Sequence, residues 1–171
     1  NLSLTPAPVY TDNINVGIVT ASYTYLPDAN HTGSLGSDTF AITRADATCT
    51  VTGYDVIYDG NPHTATGVCL GVQGETLLGL DLSVTTRTDF SEWWNDPWTF
   101  TDVTGNYNNT SGTIHDKIAK AYATCTSGGY TGLFTGTPHG AFGSCKSASG
   151  VILTGLDLGS TFINVPGGIA N

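Results

Sequence analysis

Four cysteines carry the best-defined chemistry in this sequence. Cys49 and Cys69 have the same spacing as Cys125 and Cys145 (69 − 49 = 20 and 145 − 125 = 20). The segment Asp59–Pro62 lies midway between the first pair and has the residue types of a tight turn. A hairpin folded there places the two cysteines opposite each other, close to disulfide range. We predict the disulfides Cys49–Cys69 and Cys125–Cys145, each closing a loop worth on the order of 3 kcal/mol.

Histidines and aspartates recur at matching positions without forming a catalytic set. His63 and His139 each follow a proline, and Asp81 and Asp157 each stand between two leucines. We interpret the histidines as turn residues and the aspartates as surface or capping residues. The sequence has no Ser-His-Asp signature, phosphate loop or calcium-loop spacing. It also lacks the short Cys-x-x-Cys spacing of a zinc site, so that buried free thiols are the main alternative to the disulfides. We predict that the chain is not an enzyme and uses no metal or other cofactor.

Two adjacent tryptophans, Trp93 and Trp94, have no aromatic counterparts elsewhere in the chain. Exposed aromatic side chains can stack on sugar rings or anchor a protein partner. The pair is therefore a candidate binding site. The alternative is that both indoles seal a loop or a contact between units.

Three asparagines stand in the acceptor pattern for N-linked glycans, in which a serine or threonine follows two residues later. We expect Asn30 and Asn108 to occupy equivalent turn positions, so that glycans attached there would recur along the chain. The alternative is that these asparagines serve the turns themselves. The candidate glycosylation sites are Asn30, Asn108 and Asn109.

The cysteine spacing is part of a longer repeat with a constant offset (125 − 49 = 76 and 145 − 69 = 76). Self-similarity at a fixed period indicates that the same structural unit recurs along the chain. It also selects the predicted cysteine pairing among the three that four cysteines allow. The N-terminal segment matches the later part of the same unit. The segments aligned at this offset are Ala45–Thr50 with Ala121–Thr126, Gly79–Leu82 with Gly155–Leu158, and Ile42–Arg44 with Ile118–Lys120. Tyr23–Tyr25 aligns with Trp98–Phe100 at an offset of 75 (98 − 23 = 75), a small change that falls at a predicted hairpin loop.

The repeat divides the chain into three segments. Residues 1–44 are predicted to be the C-terminal part of a repeat unit, residues 45–120 a complete unit, and residues 121–171 the N-terminal part of the next unit. Two interpretations stay open. The chain is either a window of a longer array, or its two partial units complement each other between molecules in a head-to-tail fibre.

The composition excludes several classes of function. Lys and Arg number five, and the formal net charge is −9. Because binding to nucleic acid or to anionic lipid needs clustered cations, neither is an expected partner. No apolar run approaches the roughly 20 residues of a membrane span, so we predict no membrane insertion.

Short segments rich in Thr, Val, Ile and Tyr alternate with turn residues throughout the complete unit, which indicates an all-β fold. Six or seven short strands in about 76 residues suit tandem immunoglobulin-like β-sandwich repeats. Pattern alone does not distinguish a strand from a helical turn in the apolar segment 77–85. If that segment is helical, β-grasp-like units are the alternative. The predicted strands of the complete unit are 47–58, 64–72, 97–103 and 111–119.

Several short motifs along the chain form a familiar set, namely Tyr58–His63 followed by Ala65 and Gly67, Tyr10–Gly17, Asp28–Gly33, Gly105–Asn108 and Phe162–Gly168. These segments resemble bacterial extracellular MBG/YDG-type modules, which are immunoglobulin-like repeats of surface and adhesin-like proteins. Residues 86–97 depart from the usual pattern of those modules. The resemblance implies multi-copy repeats of large secreted or surface proteins, and it brings no catalytic residues.

We therefore predict an extracellular structural repeat protein located at the cell surface. Disulfides need an oxidising compartment, which agrees with this location. The chain is expected to be a segment or subunit of a filament, sheath or stalk, with like subunits or neighbouring repeats as head-to-tail partners and glycans as a further candidate partner. The alternative function is an adhesin repeat that binds carbohydrate or protein through Trp93 and Trp94.

Overall fold

The chain folds into short β-strands. A computed structural model describes residues 7–164, and these residues form an all-β fold. The ends of segments 1–44 and 121–171, and the last four residues of the family-like loop Phe162–Gly168, lie outside the described residues. The strands are β1 Val9–Thr11, β2 Gly17–Tyr25, β3 Ser34–Ile42, β4 Ala45–Asp46, β5 Thr48–Thr52, β6 Asp55–Ile57, β7 Thr66–Leu70, β8 Thr76–Leu77, β9 Leu80–Asp81, β10 Ser91–Phe100, β11 Tyr107–Asn108, β12 Thr110–Ala119, β13 Thr124–Gly128, β14 Phe142–Lys146 and β15 Ile152–Leu153.

The chain divides into two compact units that do not follow the sequence repeat. The first unit holds residues up to Gly53 together with Thr64–Thr86 and Asn95–His115, and the second holds Tyr54–His63, Arg87–Trp94 and the residues from Asp116 onward. Residues 7–164 contain no helix that is long and apolar enough to cross a bilayer.

In the first unit, β5, β7 and β8 form an antiparallel three-stranded sheet. Alternation of Thr with Cys and Val along β5 gives an alternating burial pattern, because successive strand residues face opposite sides. Cys49 and Cys69 are directly opposite partners. The inward face of this sheet forms a small core with the aromatic residues Phe100 and Tyr107.

The strands that follow provide the other half of that core. The sheet order is β6-β12-β10-β9, with β9 antiparallel to β10 and β6 parallel to the end of β12. Along β10 the even-numbered residues Trp94, Asp96, Trp98 and Phe100 are buried or half-buried, and the odd-numbered residues from Trp93 to Thr99 are exposed. We name residues 45–90 the front half of the complete unit and residues 91–120 its back half.

The second unit contains a copy of the front-half sheet. Strands β13, β14 and β15 are antiparallel neighbours. Cys125 pairs with Cys145 and Cys145 with Leu153, as Cys49 pairs with Cys69 and Cys69 with Leu77. All three strands begin at the same offset from β5, β7 and β8 (124 − 48, 142 − 66 and 152 − 76 each give 76). The offset found in the sequence is therefore also the offset of the strand registers.

The N-terminal part of the first unit is the antiparallel sheet β1-β2-β3. Its long hairpin pairs Gly17 with Ile42 and Tyr25 with Ser34. The strands β2 and β3 correspond in the repeat to β10 and β12, the two long strands of the back half. The first eight residues of β3 are exposed along an edge of this sheet.

Several element boundaries differ from the sequence expectations. The predicted strand 47–58 is two strands, because the pairing is interrupted at Gly53 and β6 leaves to pair with β12. The ambiguous segment 77–85 combines the short strands β8 and β9 with a 3-10 turn at Ser83–Thr85. Strand β10 begins at Ser91, within the segment 86–97 that departs from the family pattern.

Candidate functional site

Both predicted disulfides are present in the structure. Cys49 bonds to Cys69 and Cys125 to Cys145, with 4.0 Å between the Cα atoms of each pair. Each bond joins directly opposite residues of a hairpin. The bridges therefore hold the same two strands together in each front half.

The histidines lie in the turns that the disulfides close. The backbone of His63 exchanges two hydrogen bonds with that of Arg87, and its Nε2 lies 3.1 Å from Asp59 Oδ1. His139 makes the same backbone exchange with Phe162, and its Nε2 lies 2.6 Å from the Thr135 hydroxyl. Because the carboxylate at position 59 becomes a hydroxyl at position 135 while the backbone geometry is kept, the arrangement supports a structural turn role.

Asp59 is held as a carboxylate by its own turn. Its carboxylate accepts hydrogen bonds from the backbone N–H and the side-chain amide of Asn61, and it lies beside His63. These three interactions lower the pKa of Asp59 to about 2. The charge of Asp59 therefore stabilises the folded turn.

Asp81 and Asp157 perform the same local task at the repeat offset (157 − 81 = 76). Asp81 Oδ1 accepts the Ser83 N–H at 2.8 Å, and Asp157 Oδ1 accepts the Gly159 N–H at 2.8 Å. The bond from Ser83 keeps the pKa of Asp81 below its ordinary value. No group of three His, Cys, Asp or Glu side chains within residues 7–164 is arranged to hold a metal ion.

Trp93 and Trp94 face opposite sides of β10. Trp93 is 68% exposed, whereas Trp94 is half-buried and has the guanidinium of Arg87 at 5.7 Å from its ring centroid. Neighbouring residues of a strand point to opposite faces, so that the two indoles cannot stack together on one sugar ring. A binding role would depend on Trp93 and its own surroundings.

The three candidate glycosylation sites are all exposed, but they do not occupy equivalent positions. Asn30 lies in a bend after Asp28, and its N–H donates to the Asp28 carboxylate. Asn108 lies in β11, where its Nδ2 donates to Asp46 at 2.8 Å. Asn109 Oδ1 accepts the Asp102 N–H. The amides of Asn108 and Asn109 thus already serve the turn of the back half.

A groove that the sequence did not predict lies in the second unit. It has a volume of about 310 Å³ and combines aromatic and small side chains. Tyr58, Phe90 and Lys120 contribute to its lining, and the Lys120 ammonium lies 4.7 Å from the Phe90 ring centroid. Ala121, Ser147 and Leu153 of the second front half also line the groove.

The repeat shows what the equivalent positions do in the complete unit. Ala121 and Leu153 correspond to Ala45 and Leu77, which pack in the core beside Phe100 and Tyr107. Leu77 is 8% exposed and Leu153 is 38% exposed. The groove thus corresponds to part of the contact between the front half and the back half of the repeat. This contact is buried in residues 45–120 and open in the second front half.

The pattern of strands leads to the same result. In the complete unit β4, β6 and β9 pair with the back-half strands β11, β12 and β10. At the equivalent positions 121–122, 131–133 and 156–157, no strand is formed. The strands that pair within the front half all recur, and those that need a back half do not.

The structure thus gives the cysteines, the histidine turns and the capping aspartates the same local roles in each front half, and it places the two tryptophans on opposite faces of β10. The groove could have been found from the sequence by asking which core positions of the complete unit recur after residue 120. Comparison with known proteins finds no matching protein-family model, curated protein or solved structure.

Proposed function

We propose that this chain is a structural module of an extracellular filament, sheath or stalk, built from tandem immunoglobulin-like repeats of the MBG/YDG type. The observation that carries the proposal is the recurrence of the whole front-half sheet at a constant offset, in strand register as well as in residue type. A chain that repeats one supersecondary unit buries its apolar faces between neighbouring units.

The disulfides support an extracellular location. Each pins a small hairpin in a unit of about 76 residues, where the core alone gives marginal stability. Such bonds persist in oxidising compartments, which include the cell exterior. The net charge of −9 keeps like chains apart unless a specific interface draws them together.

The second candidate function is adhesion through a surface aromatic residue. The exposure of Trp93 supports it, because an indole offers a large flat face to a sugar ring. A glycan array comparing the wild-type chain with Trp93→Ala separates the two functions, with Trp94→Ala as the matched control. Loss of glycan binding in Trp93→Ala but not in Trp94→Ala would favour adhesion. Glycan binding that neither substitution changes would exclude Trp93 as the binding site.

Negative-stain electron microscopy of the purified chain over a concentration series tests the structural proposal. We expect linear assemblies whose number grows with concentration. Isolated compact particles at all concentrations, both in the purified chain and in native material, would contradict a filament or stalk.

A further inference from the structure

The second front half presents a face that its counterpart buries. Cys69 is fully buried and Leu77 nearly so, whereas Cys145 is half-buried and Leu153 lines an open groove. The strand registers of the two sheets are the same. The difference in exposure therefore comes from what covers the sheet, which in the complete unit includes Phe100.

The N-terminal sheet carries the matching elements of a back half. Tyr23 and Tyr25 occupy the repeat positions of Trp98 and Phe100, and both are only half-buried. Strand β3 occupies the position of β12 and has an exposed outer edge. In the complete unit the corresponding edge of β12 pairs with β6.

We propose that the β1–β3 sheet of a second copy of this chain docks on the groove and open sheet face of the second front half, completing a unit in trans. The inference rests on the proposed function and names its partner and contact surface. Successive copies joined in this way form a heterologous, head-to-tail contact, which propagates as a filament.

The complete unit predicts the strand pairing at this interface. There β6 pairs in parallel with β12, with Asp55 opposite Lys117 and an ion pair of 3.3 Å between their side chains. At the docked interface Thr131 would stand opposite Ala41 of the second copy. The Tyr58 N–H, which donates to the backbone carbonyl of Ala119 at 2.8 Å, has its equivalent in the N–H of residue 134.

At the rim of the groove, the second front half and the incoming sheet both differ in residue type from their counterparts in the complete unit. In the complete unit the Tyr107 hydroxyl donates to Glu75 and accepts the Val72 N–H, and these side chains fill the space beside Gly71, where an added Cβ would displace them. In the second front half a valine and a serine stand at the positions of Glu75 and Gly71, namely Val151 and Ser147.

The incoming loop 26–33 contains no tyrosine. Docking therefore leaves no buried carboxylate without its hydroxyl partner and gives the Ser147 side chain the space that the tyrosine hydroxyl occupies in the complete unit. Removing both members of a hydrogen-bonded pair is nearly neutral, whereas removing one is costly.

Disulfide cross-linking between two variants, each with one added cysteine, tests the docking. Ala41→Cys and Thr131→Cys, both at exposed positions, are made on separate chains and mixed under mild oxidation. We expect a covalent dimer on a non-reducing gel, with a peptide that joins positions 41 and 131 identified by mass spectrometry. Thr39→Cys replaces Ala41→Cys as the control, since the equivalent of Thr39 lies outside the β6 pairing. Equal cross-linking of the control would overturn the proposed register.

A second pair of variants tests the apolar contact. Leu153→Asp places a charge in the groove, whereas Ile152→Asp alters the preceding residue of β15, whose equivalent, Thr76, stays exposed in the complete unit. By sedimentation velocity we expect Leu153→Asp to weaken self-association at least tenfold and Ile152→Asp to change it less than twofold. Equal effects of the two substitutions would overturn the groove as the docking site.

The outcomes separate this inference from the proposed function. Filaments without the disulfide between positions 41 and 131 would overturn docking in trans while leaving a structural filament in place, with the groove covered by another segment. Absence of both cross-link and filaments would overturn both proposals.

Discussion

At the residue scale, the chain uses its reactive side-chain types for local structure. The cysteines pin hairpins, the histidines close turns, and Asp81 and Asp157 accept backbone N–H groups. These roles were predictable because residue type, spacing and repetition at one constant offset agreed. The opposite orientation of Trp93 and Trp94 also follows from strand periodicity, once the sequence is known to form a strand there.

The carboxylate of Asp59 gives a prediction about acid stability. Its pKa in the folded protein is about 2, below the ordinary 3.8, so that it contributes stability above pH 3.8 that is lost as the pH falls through about 2. We expect the melting temperature of wild type to exceed that of Asp59→Asn near pH 6 and the difference to shrink between pH 4 and pH 2.

Thr135→Asn is the matched control for this comparison, because Thr135 occupies the equivalent turn without a charge. Its melting temperature relative to wild type should stay constant over the same pH range. A pH-independent difference for Asp59→Asn would show that the turn depends on hydrogen-bonding shape rather than on charge.

At the element scale, the two front halves share one backbone plan in different environments. The front-half strands could be placed from the sequence because hairpin turn, disulfide and β-propensity coincide there. The division of segment 47–58 into β5 and β6 could not, since it depends on parallel pairing of β6 with β12, which lies far along the chain. The 3-10 turn at Ser83–Thr85 was likewise hidden within an apolar segment of ambiguous period.

The core of the complete unit gives the second prediction. Phe100 is 1% exposed and packs with Cys69, Leu77 and Tyr107. Removing a buried phenylalanine ring costs about 3–5 kcal/mol, so that Phe100→Ala should lower the free energy of unfolding by that amount in urea.

Tyr25→Ala, at the equivalent position of the N-terminal sheet, is the comparison. Tyr25 is half-buried, and its substitution should cost clearly less at dilutions where the chain does not associate. Equal losses for the two variants would mean that the N-terminal sheet already has a complete core within one chain.

At the scale of the whole molecule, repetition is visible in the sequence. Which repeated surface is left uncovered becomes clear only from the exposure of equivalent side chains in the structure. A repeat alone leaves two interpretations open, a window of a longer array and complementation between molecules. The structure adds a face that is buried in one copy of the front half and open in the other, together with strands that form only where a back half is present. These observations support the proposed partner, the β1–β3 sheet of a second copy.

The net charge of −9 gives a prediction about salt. Association brings together two acidic chains, and salt screens their repulsion over a Debye length of about 8 Å at physiological ionic strength. We expect self-association, measured by light scattering, to strengthen when sodium chloride rises from about 10 mM to about 150 mM. Weakening over this range would indicate that ion pairs dominate the interface.

Hydrogen exchange at two equivalent amides tests the central claim most directly. In the complete unit the Tyr58 N–H donates to the Ala119 carbonyl, and in the proposed docking the equivalent Phe134 N–H donates in the same way to a second copy (134 − 58 = 76). We predict slow exchange at Tyr58 at every concentration, and exchange at Phe134 that is fast in dilute solution and slows as the chains associate. Exchange at Phe134 that is already slow in dilute solution, or that stays fast in the associated state, would contradict the account.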